Sequence, residues 1–431
     1  MKPSSLIGHT IEALTLAGAG RRPSDAVIAE FFRARHYLGA SDRRFIAETA
    51  YGVIRHHRLL AARARHALGL PAAAPIDPAT LIAALQGAAP DADAGAIASA
   101  IGEHWMSGGA SCTEFLRGVR SGLAEESAWP LAVRHSIPDF VAEEWTRRFG
   151  TEAEALCEAS NSQPPLAIRV NTLRGNVAAC AESLSREGIA TSAGLLSPAG
   201  LVLSRRINTG ALRAFREGLF EMQDEGSQLI APLLEARPGM AVLDACAGGG
   251  GKSLHLAALM ENRGEIRALD VDRSRLENID LRARRAGATI IHSGALRPGS
   301  APPGQGRYDG VLIDAPCSGT GTFRRNPWLK ASCTAEASHT LGGRQRELLR
   351  RYAPAVKPGG RLVYATCTLL DCENRDVVKD FLAQRPDFTL CDAAEVLRRQ
   401  GVPISAEGPW LELLPHRTGT DGYFAAVMVR S

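Results

Sequence analysis

The sequence lacks the features that mark membrane, secreted and repeat proteins. No apolar run approaches the roughly 18 residues that a membrane-spanning helix needs, and no repeat of fixed period occurs. The first residues, MKPSSLIGHTIEALTLAG, carry His9 and Glu12 where a signal peptide has its apolar core. Hydrophobic residues make up 45% of the chain and charged residues 22%, as in soluble globular proteins. We therefore expect a cytoplasmic globular protein that does not enter a membrane.

The sequence also lacks the cysteine spacings of disulfide frameworks and zinc sites. The chain has nine cysteines, an odd number, and no CxxC pair. Four residues separate Cys367 from Cys372, and no second cysteine or histidine pair follows at a zinc-like spacing. We expect reduced thiols and no metal.

A chain of 431 residues is long enough for two or three domains, and its composition changes along its length. Helical periodicity dominates residues 1–135, in which Ser41 and Asp42 are predicted caps of a long helix. Residues 1–65 hold eleven Lys and Arg against five Asp and Glu, which indicates either solvated helix faces or a surface for phosphates. Residues 136–228 have a mixed α and β pattern, and residues 229–431 form the third predicted domain.

The third domain alternates short apolar runs with helical stretches. Such alternation predicts an α/β fold, in which helices cover both faces of a mostly parallel sheet. The predicted strands are residues 240–245, 265–272, 289–294, 308–315 and 360–367. Residues 422–430 supply a last strand without a following helix, and we expect it to be an antiparallel edge strand.

The stretch DACAGGGGKS, residues 244–253, follows the first of these strands and begins a helix. It fails the Walker A pattern because Cys246 stands at the leading glycine position, and no register of its glycines satisfies GxGxxG. A tight turn without a ligand is one interpretation. Four consecutive glycines are costly in backbone entropy, which favours a loop whose bare backbone lets a ligand approach a helix N-terminus.

An acidic residue ends the second strand, at the position where nucleotide-binding folds hold ribose hydroxyls. Asp270 stands 19 residues beyond Gly251, and Asp272 is the better candidate for the N-cap of the following helix. Ribose binding without a phosphate loop indicates an adenosine ligand that lacks a pyrophosphate. S-adenosylmethionine is the common ligand of this kind.

Two cysteines follow two other strands. Cys317 lies in VLIDAPCSGTG and Cys367 in LVYATCT. Ligands of open parallel sheets bind outside the carboxyl ends of the strands, so these thiols are expected to share one crevice with the acids that end other strands, Asp244, Asp270 and Asp314. A thiol beside a methyl donor suggests methyl transfer to a poorly nucleophilic carbon. Carbon 5 of cytosine is such a centre, since thiolate addition at carbon 6 makes carbon 5 nucleophilic.

These motifs resemble a known family. DAPCSGTG followed by RRNP, the later ATCT, RVNTL, QDEGSQ, LDVD and TDGYFAAV stand in the order found in the Sun/Fmu-type (RsmB/NOP-like) family of S-adenosylmethionine-dependent RNA cytosine-carbon-5 methyltransferases. The resemblance covers residues 137–431. The basic N-terminal helices, with SDRRFIAETAYGVIRHHRLL, are similar to the NusB-like RNA-binding domain of the bacterial rRNA members.

The resemblance implies a Rossmann-like class I methyltransferase domain with a seven-stranded, mostly parallel sheet. It also implies that Cys367 is the nucleophile, that Cys317 assists product release, and that Asp314 contacts the cytosine edge and the cofactor. The implied S-adenosylmethionine site comprises Cys246, Ala247, Gly248, Gly249, Gly250, Gly251, Lys252, Asp270 and Asp314.

The resemblance implies an RNA substrate, with 16S rRNA favoured over tRNA, and we expect a monomer. The expected RNA contacts are Arg169, Asn171, Arg324, Arg325, Asn326 and Lys330. A noncatalytic RNA-binding assembly factor would be expected to lack one of the two cysteine motifs, and both are intact. DNA cytosine methyltransferases instead use as nucleophile the cysteine of the PC motif, which is Pro316-Cys317 in this sequence, so the presence of both thiols favours RNA.

The sequence departs from the family pattern in two places. Gly248 and Gly249 replace an Ala-Pro pair in the glycine-rich loop, which predicts a more flexible loop. Ala295 stands where the third strand ends in an acid that contacts the adenine. Ser293 could donate a hydrogen bond to the cofactor instead.

Overall fold

The structure, a computed structural model, describes residues 1–18, 23–106, 110–296, 304–405 and 408–431. The contacts between residues group the chain into two compact units. A helical unit contains Met1–Ser162 and Asn326–Ser332. The second unit contains Gln163–Arg325 and Cys333–Ser431, and we name it the catalytic unit because it holds both cysteine motifs, for which the sequence predicts catalysis. None of the described helices is long and apolar enough to cross a membrane.

The helical unit is all-α where the structure describes it. Its helices are α1 (Pro3–Gly18), α2 (Ser24–Arg33), α3 (Ala40–Leu68), α4 (Pro78–Gly87), α5 (Ala94–Ile101), α6 (Cys112–Gly122), α7 (Leu131–Arg134), α8 (Asp139–Phe149) and α9 (Ala153–Ala159). A further four-residue helix spans Leu329–Ser332. The predicted caps of the long helix need correction, because α3 begins at Ala40 and Gly39 is its N-cap. Asp42, in the first turn, accepts the Gly39 N–H at 3.1 Å, and this is half of a capping box because glycine has no side chain to complete it.

The catalytic unit begins with a small antiparallel sheet. Its strands are β1 (Ala167–Val170), β2 (Thr191–Ala193), β3 (Gly200–Leu203) and β4 (Phe220–Met222), in the spatial order β2-β3-β1-β4. Helix α10 (Val177–Arg186) packs its apolar side onto this sheet through Cys180 and Leu184. The short helices α11 (Arg213–Arg216) and α12 (Glu225–Gln228) follow.

The second sheet is mixed and has eight strands, one more than the expected seven, because the three-residue strand Leu411–Leu413 also pairs in it. They are β5 (Ala241–Asp244), β6 (Glu265–Asp270), β7 (Ile291–Ala295), β8 (Tyr308–Asp314), β9 (Val356–Thr366), β10 (Phe388–Cys391), β11 (Leu411–Leu413) and β12 (Tyr423–Arg430). The order is β10-β12-β9-β8-β5-β6-β7, and β11 pairs with β12 beside β10. Strands β5 to β9 pair in parallel, which confirms the predicted α/β sheet.

The prediction for the last strand was half wrong. Strand β12 is antiparallel to β9, as expected, but it is not an edge strand, because β10 and β11 cover its other side. Its residues 423–428 are all buried, as in a central strand. The two covering strands have only four and three residues, too few for a periodic pattern.

Helices cover both faces of this sheet. They are α13 (Gly251–Leu259), α14 (Arg273–Ala286), α15 (Ala335–Tyr352), α16 (Arg375–Gln384), α17 (Ala393–Arg398) and α18 (Pro415–Thr418). Successive residues of β8 and β9 point to opposite faces, so that Leu312 and Val363 enter one apolar core while Val311 and Tyr364 enter the other. Burial on both faces explains why these strands are continuously apolar in sequence.

Candidate active site

The parallel strands deliver their last residues to one edge of the sheet. Strand β5 ends at Asp244, β6 at Asp270 and β8 at Asp314, and the three strands are neighbours. Strand β9 pairs in parallel with β8 and leads into Cys367. The structure therefore brings together the strand ends that the sequence pattern predicted would meet.

The two cysteines of the motifs are in contact. The Sγ atoms of Cys317 and Cys367 lie 3.4 Å apart, so one thiol can donate to the other sulfur. The backbone holds the two segments together, because the Gly321 N–H donates to the Cys367 carbonyl at 3.0 Å and the Gly422 N–H donates to the Gly321 carbonyl at 2.8 Å. The contact with Cys367 and burial raise the pKa of the Cys317 thiol well above its usual range.

A buried carboxylate, Glu373, supports both cysteine segments. Its Oε2 accepts the Ser318 N–H and the Gln345 Nε2–H, each at 2.9 Å. The same Gln345 nitrogen donates to the Pro316 carbonyl at 2.9 Å. The hydroxyls of Ser318 and of Thr368, the residue after Cys367, form one hydrogen bond at 2.8 Å. Burial raises the pKa of Glu373. This network sets the spacing of the loop after β8 from the end of β9.

A lysine and an aspartate stand beside the thiols. The Lys252 Nζ donates to Asp314 Oδ2 at 2.5 Å and to Ser227 Oγ at 3.3 Å. Burial lowers the pKa of the Lys252 ammonium, but the attraction of nearby anionic groups, Asp314 first and Cys367 among them, outweighs burial and raises it overall. Lys252 is therefore a cation placed to stabilise negative charge on Asp314 and on the Cys367 sulfur.

The glycine-rich loop turns tightly between β5 and α13. Gly248 has φ +52° and Gly250 has φ +80°, a region that favours glycine. A Cβ on Gly250 would also lie 2.8 Å from Ile279. The Gly248 N–H donates to Asp270 Oδ2 at 2.8 Å, so the acid of the second strand anchors this loop. Asp272 is the N-cap of α14, as predicted, and accepts the Ser274 N–H at 2.9 Å.

Asp244 lies beneath the same loop with an unused acceptor. The Ser253 hydroxyl donates to its Oδ2 at 2.6 Å, while its buried Oδ1 has no hydrogen-bond partner. Burial raises the pKa of this carboxyl to about 6. Cys246, also predicted at the cofactor site, packs against the core on one face of the sheet, and the Ala247 N–H donates to the Leu269 carbonyl at 2.9 Å.

The third strand ends as the sequence suggested. Ala295 pairs with Asp270 at the end of β7, so no acidic side chain stands there. The Ser293 hydroxyl, expected to donate to a cofactor, instead donates to Asp280 on α14 at 2.9 Å. Among the described residues, no group of three or more His, Cys, Asp and Glu could hold a metal ion.

Two of the expected RNA contacts are buried inside the catalytic unit. Arg169, only 2% exposed, donates to Gln223 Oε1 at 2.6 Å and to the Gly251 carbonyl at 3.3 Å. The Asn171 amide donates to the carbonyls of Gly218 and Ala286, each at 2.8 Å. Both side chains thus bind within the protein, and their role as RNA contacts stays a prediction.

The arginines after the PC motif form a buried ion-pair cluster. Arg324 Nε donates to Asp421 Oδ1 at 2.7 Å, and Arg325 Nε donates to Asp421 Oδ2 at 2.6 Å. Arg325 also donates to Asp224 at 3.1 Å. Burial and the charge of Asp421 raise the pKa of Asp224 to about 6. Only Arg325 of this pair keeps about a third of its side chain exposed.

The remaining two expected contacts belong to the helical unit. Asn326 begins the segment Asn326–Ser332, and its carbonyl accepts the Leu329 N–H at 3.0 Å. Lys330 is buried, and its Nζ donates to Asn161 Oδ1 at 2.5 Å and to the carbonyls of Arg55 and His135 at 3.1 and 3.3 Å. Burial lowers the pKa of this ammonium to about 7.

Sequence reasoning assigned no role to Glu373, Asp421 or Asp224. Asp224 and Asp421 stand in QDEGSQ and TDGYFAAV, motifs that were noted for their order only. The sequence did contain a signal for these two aspartates. Each motif contributes one acid, and these acids could have been paired with the two adjacent arginines that follow the PC motif. Glu373 had no comparable signal, since its partners are backbone groups and neutral side chains.

An open, mostly parallel sheet with a glycine-rich loop after its first strand, and with polar and thiol side chains at the carboxyl ends of its strands, defines a Rossmann-like α/β fold. The chain belongs to the 16S rRNA methyltransferase RsmB/F family. The model of that family matches residues 231–429, and the model of the ferredoxin-like domain of RsmF/B-like methyltransferases matches residues 137–209.

Relatives and solved structures agree with this membership. The chain is 36% identical over 307 residues to the probable ribosomal RNA small subunit methyltransferase B of Bacillus subtilis, covering 70% of this chain and 68% of that protein. It is 33% identical over 420 residues to the protein of the same name from Synechocystis, covering 91% and 92%. The crystal structure of PH0851 superposes with a TM-score of 0.78 at 26% identity and covers 100% of this chain and 99% of that one.

Proposed function

We propose that this protein transfers a methyl group from S-adenosylmethionine to carbon 5 of a cytosine in small-subunit rRNA, through a covalent cysteine–cytosine intermediate. The observation that carries the proposal is the pair of thiols 3.4 Å apart at the end of β9 and in the loop after β8, beside the Lys252–Asp314 pair. Two thiols and a charge-stabilising lysine suit nucleophilic catalysis on an electron-poor ring carbon.

The two thiols have different roles in this proposal. Since the pKa of Cys317 is raised well above its usual range, Cys317 stays protonated and donates its S–H to the other sulfur. Cys367 is the proposed nucleophile, whose sulfur accepts the Cys317 S–H and adds as a thiolate to carbon 6 of the base. Carbon 5 then accepts the methyl group and loses its proton to a base, and the Cys367 sulfur leaves carbon 6 as a thiolate to which the Cys317 S–H again donates its hydrogen bond.

Asp314 holds the base in position. Its Oδ2 is bound by Lys252, and its side chain is partly exposed at the strand ends, where it can accept hydrogen bonds from the polar edge of a cytosine. A cytosine must leave its stack to reach this crevice, which favours a single-stranded or loop target.

The residues around the glycine loop fit S-adenosylmethionine. The bare backbone of Gly248–Gly251 lets a ligand approach, Asp270 stands at the end of β6 near the ribose position, and the unpartnered Oδ1 of Asp244 is an available acceptor. When bound, S-adenosylmethionine supplies the electrophilic methyl group. The names of the two relatives above favour rRNA as the substrate, and the family description favours 16S rRNA.

We further propose that residues 1–135, the larger part of the helical unit, form a NusB-like RNA-binding domain and that residues 136–228 connect this domain to the catalytic domain at 229–431. The surplus of basic residues over positions 1–65 supports the first point. An electrophoretic shift assay with the full chain tests it, since Arg33→Glu and Arg44→Glu, both at exposed positions, are expected to lower RNA affinity and to leave the affinity for S-adenosylmethionine unchanged.

A covalent trap tests the proposed reaction. The Cys317→Ala variant is incubated with S-adenosylmethionine and unmodified 16S rRNA, tRNA or duplex DNA, and the products are separated on a denaturing gel. We expect a protein–RNA adduct with 16S rRNA, because the variant lacks the thiol that assists release. The double variant with Cys367→Ala is the matched control and should give no adduct.

The other outcomes separate the alternatives. An adduct that persists without Cys367 would reverse the assignment of the two thiols. Preferential trapping on tRNA or on duplex DNA would identify that nucleic acid, and not 16S rRNA, as the substrate. Cofactor binding without an adduct on any nucleic acid would favour a noncatalytic RNA-binding assembly factor.

A further inference from the structure

We propose that Arg282, aligned by Glu221, is a positioning residue that fixes the glycine-rich loop and thereby sets the affinity for S-adenosylmethionine. The inference rests on the proposed function, because it concerns the methyl-donor site of that reaction. It assigns to the small antiparallel sheet a part in cofactor binding.

The contact that carries the inference is between α14 and the loop. The Arg282 guanidinium donates through Nη1 to the Gly249 carbonyl. A Cβ added to Gly249 would lie only 3.1 Å from this same Nη1, so the guanidinium lies directly against the loop backbone. Charge-assisted hydrogen bonds are the stronger kind, and a planar guanidinium fixes direction as well as distance.

Glu221 on β4 holds this arginine in place. Its Oε2 accepts from Arg282 Nη2 at 2.9 Å and from Nε at 3.2 Å, which is a two-point contact. Its Oε1 accepts from Arg285, whose guanidinium also lies 3.8 Å above the Phe215 ring. Because the Glu221 carboxylate is about 5% exposed, solvent screens these charges weakly.

A second arginine holds the other end of the loop. Arg169 on β1 donates to the Gly251 carbonyl at 3.3 Å, and Gln223, two residues after Glu221, orients it. Two carbonyls of the four-glycine run are thus bound by guanidinium groups whose partners lie on β4 or just after it.

The loop needs such support because it has little rigidity of its own. Glycine loses more conformational freedom on ordering than any other residue, and here four occur in a row. Gly249 stands where the resembling family has a proline, which would restrain the chain covalently. The guanidinium of Arg282 supplies a non-covalent restraint at that residue, so the cofactor meets an ordered backbone and pays less ordering entropy on binding.

Calorimetric titration of the full chain with S-adenosylmethionine tests the inference without RNA or turnover. Arg282→Gln removes the contact, and Arg284→Gln, an exposed arginine two residues further along α14, is the matched control. We expect Kd to rise about tenfold for R282Q, the effect of one charge-assisted hydrogen bond. R284Q should bind S-adenosylmethionine as the unsubstituted protein does.

Two further variants distinguish positioning from general loss of structure. R282K keeps the positive charge but not the planar guanidinium that donates to Glu221 and Gly249 at once, and we expect an intermediate Kd. R282Q/G249P restores a covalent restraint, and we expect most of the lost affinity to return with no increase in the thermal transition temperature. Equal Kd values for R282Q and R284Q, or no recovery in R282Q/G249P, would overturn the inference. Failure of the unsubstituted protein to bind S-adenosylmethionine would instead overturn the proposed function, and the inference with it.

Discussion

From the close packing of Gly321 against Gly422 we predict the effect of one substitution on the catalytic rate. A Cβ added to Gly321 would lie 2.3 Å from the Gly422 carbonyl oxygen, whereas ordinary contact begins near 3.4 Å. The backbones must therefore separate by about 1 Å in Gly321→Ala. Because the Gly321 N–H also binds the Cys367 carbonyl, this displacement moves the loop of Cys317 away from Cys367.

A misplacement of about 1 Å at a reacting centre costs about 100-fold in rate. We expect kcat of Gly321→Ala to fall by about that factor, with an overpacking cost to stability of about 1–3 kcal/mol and an unchanged Kd for S-adenosylmethionine. Initial rates of methyl transfer to 16S rRNA at saturating cofactor measure the effect. Gly343→Ala is the control, because a Cβ there meets nothing within 4 Å. A rate for Gly321→Ala within threefold of that for Gly343→Ala would refute the reasoning.

Two further predictions concern the buried charges. Asp421→Ala leaves the guanidinium of Arg324 buried without its main counter-ion, a cost of about 3–5 kcal/mol, and should lower the thermal transition of the catalytic unit by about 10 °C, whereas Ala at the exposed Glu277 should not. An unchanged transition temperature would show that Asp224 alone is a sufficient counter-ion for Arg324 and Arg325. Lys330→Met removes the donor shared by three oxygens in the helical unit, and hydrogen exchange should quicken around Arg55 while the Kd for S-adenosylmethionine stays the same. Unaltered exchange would contradict that account.

Local patterns were sufficient to predict the parallel sheet and the edge at which its strand ends meet. The strands ending at Asp244, Asp270 and Asp314 are short apolar runs, and the rule for parallel sheets places their ends together. The N-cap Asp272 was also predictable, because its signal lies within a few residues. Strands β10 and β11 were not, since strands this short have no periodicity and are recognised by pairing with β12.

The positive charge of a residue was not enough to predict whether that residue binds RNA or a buried acceptor. Arg324 and Lys330 look alike in sequence, as cations in a loop next to a catalytic motif. In the structure Arg324 binds an aspartate 97 residues away, and Lys330 binds backbone and amide oxygens from distant segments. Whether a cation faces a phosphate or a buried acceptor depends on the tertiary fold, which local sequence does not encode.

The division of the chain also limits how the protein can be taken apart. Because Asn326–Ser332 groups with the helical unit, the chain passes between the two units three times instead of once. A fragment that starts at Gln163 would keep Lys330 but lose the oxygens of Arg55, His135 and Asn161 that accept its hydrogen bonds. Exchanging the helical unit for another, in the laboratory or in evolution, therefore also requires rewriting seven residues within the catalytic half of the gene.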